Sequence, residues 1–248
     1  MHLKVMACEI AFRELSFCAA RSKNTVDIEF LTQGLHDNPQ ICLEELQERI
    51  DHIPMEKYHA VLLGYGLCNN SLVGITARDL PVVIPRAHDC ITLLMGSKER
   101  YKDSFIEQPG TYYYTAGWLE HRERKGERVE RTQSSGLGPQ RSYEELVEQY
   151  GEDNARYIVE TMGKWQANYT RGLFIDFEFA QHLDCEAQVR KICEERGWKF
   201  DRMEGDLSLL QRLLDGQWDS SDFLVIEPGQ RVHASYDDAI IGARDGCP

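Results

Sequence analysis

His88-Asp89-Cys90 places an imidazole and a thiol two positions apart, directly after the apolar run Pro81–Pro85. A second thiol, Cys68, follows another apolar run, Ala60–Gly64, by way of Tyr65-Gly66-Leu67. Nitrogen and sulfur donors of this kind suit a borderline-soft ion such as Zn2+, at about 2.0–2.1 Å to nitrogen and about 2.3 Å to sulfur. Cys8, at the end of the apolar N-terminal stretch, is the candidate fourth ligand. If it lies elsewhere, that position is open to water or substrate, and the ion acts there as a Lewis acid. The competing explanation is structural: polar residues at strand ends satisfy a buried hydrogen-bond network.

The residues around this set have matching double readings. Arg86 either clamps an anionic substrate or pairs with a nearby carboxylate, and Arg13 and Arg171 carry weaker versions of the same argument. Asp89 either orients His88 through its carboxylate or caps a helix that begins behind it. Gly64-Tyr65-Gly66 permits close backbone approach, which suits a ligand lying over the strand end and equally a tight turn. In the ligand reading Tyr65 and Asn69 contact substrate; Asn69 and Asn70 otherwise cap the next turn. Tyr112, Tyr113, Tyr114 and Trp118 form an aromatic cluster that either walls an organic ligand, with Tyr113 and Trp118 facing it, or packs as core. His36 follows Gly34-Leu35 and either approaches the same edge or lies on the surface. The glycine pattern is neither GxGxxG nor GxxxxGK[ST], which argues against a dinucleotide or P-loop site. No nucleophile elbow and no close carboxylate pair point to hydrolase chemistry.

These residues converge only if the elements carrying them do. Leu3–Ile10, Val26–Leu31, His59–Gly64 and Leu80–Pro85 read as short buried strands, with helices over 11–20 and Ile41–His52 between them. Strand–helix alternation implies a parallel sheet covered by helices, and ligands of such sheets bind at the carboxyl ends of the strands. Cys68, His88 and Cys90 would then emerge on one edge. A helix follows from Ile91 to Phe105, then a strand at Thr111–Thr115. Ser142-Tyr143-Glu144-Glu145 has capping-box character at the head of a helix towards Tyr150, with another helix over Glu152–Trp165. Strands at Gly172–Phe177, Trp198–Met203 and Phe223–Ile226 alternate with helices at Ala180–Arg196 and Leu207–Leu214. The expected fold is α/β, with mostly parallel sheets flanked by helices, in two Rossmann-like lobes with a cleft or in one long sheet. The division drawn from sequence is an N-terminal lobe 1–120 carrying the Cys/His site, a surface loop or hairpin 121–141, and a C-terminal lobe 142–248.

The chain of 248 residues is 42% hydrophobic, enough to bury a sizeable core, and its net charge of −13 without a dense basic cluster argues against nucleic acid as partner. No apolar run approaches the ~18 residues of a membrane span and no signal-like segment opens the chain, so the expected location is cytoplasmic. Eight cysteines in that setting point to metal binding, redox chemistry or core packing before disulfides. They include no CxxC pair. Cys18, Cys42, Cys185 and Cys193 fall on helix-like stretches, where a thiol acts as a small hydrophobe.

Leu63–Asn70 (LGYGLCNN), Ile84–Tyr101 (IPRAHDCITLLMGSKERY), Gly110–Trp118 (GTYYYTAGW), Tyr150–Tyr157 (YGEDNARY) and Glu204–Gly216 (EGDLSLLQRLLDG) resemble domain-of-unknown-function family 1638 across nearly the whole chain. The resemblance implies an anaerobic bacterium or archaeon and a gene often found beside corrinoid-dependent methyltransferases. It implies no reaction. The spacing His-x-Cys with a distant Cys is also similar to the zinc motif of cobamide-dependent thiol methyltransferases, where zinc lowers the pKa of a substrate thiol; the rest of the chain has no such likeness. The resulting expectation is a zinc protein of anaerobic one-carbon metabolism that binds a small thiol, a methylated substrate or a corrinoid, in its enzymatic version a metal-dependent methyltransferase. Its alternatives are a non-catalytic accessory protein carrying a corrinoid or metal for neighbouring methyltransferases, and a thiol-redox protein using Cys68 and Cys90.

Overall fold

The computed structural model describes residues 1–32, 35, 38–124, 152 and 168–246. They form two compact units, Met1–Glu107 with Gly205–Pro248, and Gln108–Glu204. Both are α/β with parallel strands predominating.

The first unit is built on strands β1 (His2–Cys8), β2 (Thr25–Leu31), β3 (Ala60–Gly64), β4 (Val82–Pro85) and β8 (Phe223–Ile226), in the spatial order β2-β1-β3-β4-β8. The first four are mutually parallel, and β8 joins β4 antiparallel, with Val83 opposite Val225. Every residue of β3 and β4 is buried. Strands covered on both faces read as unbroken apolar runs, which is why these two stand out in the sequence. At the sheet edge β2 instead carries Asp27 and Glu29, and Lys4 on β1 lies 3.0 Å from Glu29, so charge guards the open edge.

Helix α1 (Phe12–Arg21) connects β1 to β2, and α2 (Pro39–Asp51) connects β2 to β3. Asn38 caps α2 by accepting from the Ile41 N–H at 3.3 Å, with Pro39 preset for the first turn. Cys42, Leu46 and Ile50, four residues apart, form its buried stripe. The helix expected over 91–105 is broken into α3 (Cys90–Met95) and α4 (Lys98–Glu107), because Gly96 adopts φ +79 and ends α3.

The second unit holds β5 (Thr111–Tyr114), α5 (Ala116–Arg124), β6 (Arg171–Asp176), α6 (Cys185–Arg196) and β7 (Lys199–Glu204), with a parallel sheet in the order β5-β6-β7. Tyr112 gathers Trp118, Tyr169 and Trp198 around it at centroid distances of 5.4–5.9 Å, so the expected aromatic cluster exists and packs within this unit. A side chain at Gly172 would put its Cβ 2.3 Å from the Cys193 sulfur, which fixes glycine where α6 lies on β6. The remainder of the expected insertion 121–141, and the helices expected from Ser142 and over 152–165, fall outside the described residues apart from Glu152.

The chain then returns to the first unit through α7 (Ser208–Asp215), β8, β9 (Gln230–Ala234) and β10 (Ile241–Asp245). Leu209, Leu210, Leu213 and Leu214 of α7 are buried, at about 1.5–3 kcal/mol of transfer free energy each. Ser22 and Asn24 donate to the Leu214 carbonyl at 2.9 and 2.8 Å, fixing α7 to the end of α1. Residues 205–248 therefore complete the first sheet and its cover, where the sequence reading assigned them to a C-terminal lobe starting at 142. The antiparallel β9–β10 hairpin was not anticipated. Among the described residues no helix is long and apolar enough to cross a membrane.

Candidate functional site

In the order β2-β1-β3-β4 the chain leaves β1 to one side and returns on the other, so the topological switch point lies between β1 and β3. Cys8 is the last residue of β1, and Gly64 ends β3. Strands β1 and β3 approach so closely there that a Cβ on Gly64 would lie 2.7 Å from the Ala7 Cβ.

Beyond β3 the chain runs against the segment that leaves β4. The Leu67 N–H donates to the Ala87 carbonyl at 2.8 Å and the Cys68 N–H to the His88 carbonyl at 2.9 Å. Gly66 is what allows this: a Cβ there would sit 2.5 Å from the Asp89 Cα. Both glycines thus serve protein–protein approach. Cys68, Asn69 and Asn70 then adopt φ of +36, +55 and +64, three consecutive left-handed residues of which none is glycine. Such a conformation costs roughly 1–2 kcal/mol per residue, less for asparagine. The Ser71 N–H closes the turn onto the carbonyls of Leu67 and Cys68 at 3.0 and 3.1 Å.

Asp89 resolves its two readings in favour of the cap. Its Oδ1 accepts from the Thr92 N–H and hydroxyl at 3.1 and 3.3 Å, and its Oδ2 accepts from the Tyr101 hydroxyl at 2.9 Å. This starts α3 on Cys90, whose backbone N–H acts to lower the Cys68 pKa against the larger effect of burial. Cys8, Cys68 and Cys90 lie within electrostatic reach of one another. Burial, then Asp89 and Cys8, pushes Cys68 up to about 12; burial, then Cys68, Asp89 and Cys8, pushes Cys90 well above the ordinary thiol range. Cys42, read from sequence as core of α2, joins the group, since it influences both Cys68 and Tyr65. Among the described residues no disulfide forms.

Tyr65 lies among these thiols. It is 3% exposed, and its hydroxyl has no hydrogen-bond partner among the described residues. Burial, then Cys8, Cys42 and Cys68, raises its pKa. An orphaned buried hydroxyl costs about 1–3 kcal/mol.

Several sequence candidates stand elsewhere. His88 is exposed, and its side chain lines a cleft of about 600 Å³ with Lys98, Tyr101, Phe105 and Ile240; none of the cysteines lines it. Arg86 donates through Nε to the Ser220 carbonyl at 2.9 Å and through Nη1 to the carbonyls of Ala239 and Ile241, so it braces the loops around β8–β10. Asn69 and Asn70 are exposed on the left-handed turn. Arg171 pairs with Asp201 on the adjacent strand. Tyr113 and Trp118 belong to the second unit, and His36 lies outside the described residues. Among the described residues, no three His, Cys, Asp or Glu side chains are grouped closely enough to hold a metal ion. In kind, though, the thiol donors suit a soft cation, which displaces protons from sulfur as it binds.

No curated protein and no solved structure matches the chain. A family model described as "Protein of unknown function (DUF1638)" matches residues 30–214, and the chain belongs to that family.

Proposed function

We propose that this member of the family binds zinc through Cys8, Cys68 and Cys90 and offers an open coordination position to a small thiol or methylated substrate. The setting would be cytoplasmic anaerobic one-carbon metabolism, with a corrinoid protein or methyltransferase as partner. The observation that carries the reading is the shared neighbourhood of three thiols, Cys8 buried and Cys68 and Cys90 half-buried, at the end of β1 and just beyond β3 and β4, astride the switch point. Ligation requires the three side chains to turn towards one centre. The backbone hydrogen bonds of Leu67 and Cys68 to Ala87 and His88 support the reading, because they tie the segment carrying Cys68 to the one that leads into Cys90. Zinc, when bound, would supply a Lewis acid that lowers the pKa of a substrate thiol. This reading leaves His88 out of the ligand set, because that residue lines the cleft beside α4. Arg86 is committed to three carbonyls and braces the site. The link to corrinoid chemistry rests on the gene neighbourhood that the family resemblance implies.

The thiol-redox alternative fares worse, because an exchanging cysteine needs a lowered pKa, and burial moves Cys68 and Cys90 the other way. Elemental analysis of protein purified without air tests the proposal. One zinc per chain is expected, lost in Cys68→Ser and Cys90→Ser and kept in His88→Ala. Protein that neither contains zinc nor takes it up from a competing chelating dye would overturn it. Assays with methylcobalamin and a small thiol then separate enzyme from carrier: zinc-dependent methyl transfer is expected, and corrinoid binding without transfer would replace the enzyme by an accessory protein.

A further inference from the structure

Helix α4 has no buried residue, yet Lys98, Tyr101, Lys102 and Phe105 recur on one face at helical spacing. That face, His88 and the turn between β9 and β10 enclose the cleft of about 600 Å³, a volume ordinary for a small-molecule site.

The cleft carries two cations, Lys98 and Lys102, and three carboxylates, Glu99, Asp237 and Asp238, with Arg86 acting on Asp237 from outside it. Lys98 Nζ donates to the carbonyls of Ser221 and Asp238 at 2.9 and 3.2 Å, which hold it in place and leave its full positive charge. Lys102 pairs with Asp238 at 3.6 Å. Asp237 accepts on Oδ1 from the Ser235 hydroxyl at 2.5 Å and the Ala239 N–H at 2.9 Å, so its carboxylate is anchored while Oδ2 keeps its acceptor capacity. Between the two signs lie apolar surfaces: the Tyr101 and Phe105 rings, with centroids 6.4 Å apart, and Ile240. Ile240 is 2% exposed and adopts φ +66, a conformation that β-branched residues rarely hold. Arg86 clamps the carbonyls on either side of it, and strain maintained by its surroundings in this way is characteristic of binding sites.

We propose that this cleft binds an α-amino acid with an apolar side chain, its carboxylate on Lys98 and His88, its ammonium on Asp237, and its side chain against Tyr101, Phe105 and Ile240. The cleft presents both signs, Lys98 and Lys102 against Glu99, Asp237 and Asp238, so a simple organic anion would face the carboxylates and a simple amine the lysines. A zwitterion answers both, and the aromatic pair takes the apolar body. The cleft also communicates with the thiols: Tyr101, one of its walls, donates to the same Asp89 that caps α3 ahead of Cys90.

The test uses the full-length protein stripped of metal, titrated calorimetrically with L-phenylalanine, L-leucine, 3-phenylpropionate and phenethylamine. Saturable binding of the two amino acids is expected, with each single-charge probe at least tenfold weaker than L-phenylalanine. Lys98→Met should weaken L-phenylalanine at least tenfold and abolish its preference over phenethylamine. Lys98 also holds two carbonyls, so Phe105→Ala, at a position 53% exposed, provides a variant whose folding is safe; it should weaken L-phenylalanine several-fold. No saturable binding of either amino acid, equal binding of all the probes, or unchanged binding in Phe105→Ala would each overturn the proposal. Because no zinc is present, failure here leaves the thiol site standing, and loss of the zinc site leaves this result standing.

Discussion

Replacing Tyr65 by phenylalanine removes one oxygen from the thiol cluster and leaves its packing intact. In the metal-free protein that oxygen has no partner and is shut away from water, a state that costs about 1–3 kcal/mol. Tyr65→Phe should therefore stabilise the metal-free protein, raising its melting temperature by roughly 2–4 °C for each kcal/mol recovered in a chain of this size. With zinc bound the sign reverses. Cys8 and Cys68, two of the three thiols that influence the phenol, become thiolates and strong acceptors, and a hydrogen bond to a charged group contributes about 1.5–3 kcal/mol. The variant should then bind zinc at least tenfold more weakly than the parent. Scanning calorimetry of stripped and zinc-loaded forms, with a chelator-competition titration, reads both halves. A lower melting temperature for stripped Tyr65→Phe would show that the hydroxyl is already satisfied in the empty site. Equal zinc affinity would show that it does not face the ligating sulfurs. Either result refutes the reasoning.

Gly66→Ala would drive a Cβ into the backbone of Asp89, so it should cost about 1–3 kcal/mol and weaken zinc binding as Cys68 and Cys90 part; equilibrium urea unfolding and the dye titration check this. Arg86→Ala leaves three carbonyls without their donor and should lower stability by about 1–3 kcal/mol in the same urea assay, while the stripped protein loses L-phenylalanine binding as the turn at Ile240 relaxes. Asp27 gives a pH prediction. The Tyr58 hydroxyl, helped by Lys57 and Lys4 and opposed by burial, holds its carboxyl below the usual carboxylate range. Its stabilisation is thus complete above the unfolded pKa of about 3.9 and disappears as pH falls through the lower folded value. Asp27→Asn should be less stable than the parent at neutral pH, with the difference shrinking below about pH 4 in denaturant midpoints measured across that range.

Much of this architecture is written in the sequence because burial on both faces leaves so little choice of residue. AVLLG and VVIP could hardly be anything but central strands, and their parallel pairing with β1 and with each other sends the segments that carry Cys68 and Cys90 off the edge where β1 ends at Cys8. His88 shows where spacing stops being legible: i, i+2 has fixed meaning within a strand, but here the chain passes from an extended residue, Asp89 at φ −156, straight into α3. Cys42 was assigned to the core correctly, yet periodicity reports that a face is buried and is silent on what lies against it. The return of residues 205–248 to the first sheet was hidden for a similar reason. FLVI reads as a buried strand whichever way it runs, and only its pairing with β4 decides direction and domain. The β9–β10 hairpin is short, charged and joined by a turn with isoleucine at positive φ, the reverse of the glycine or asparagine that would announce it.

X-ray absorption at the zinc edge of the reconstituted protein addresses the central claim most directly, because it counts and identifies the atoms bound to the ion. Three sulfur neighbours at about 2.3 Å with one light atom are expected, falling to two sulfurs in Cys8→Ser. A shell of nitrogen and oxygen alone, or an imidazole signal that vanishes in His88→Ala, would contradict it.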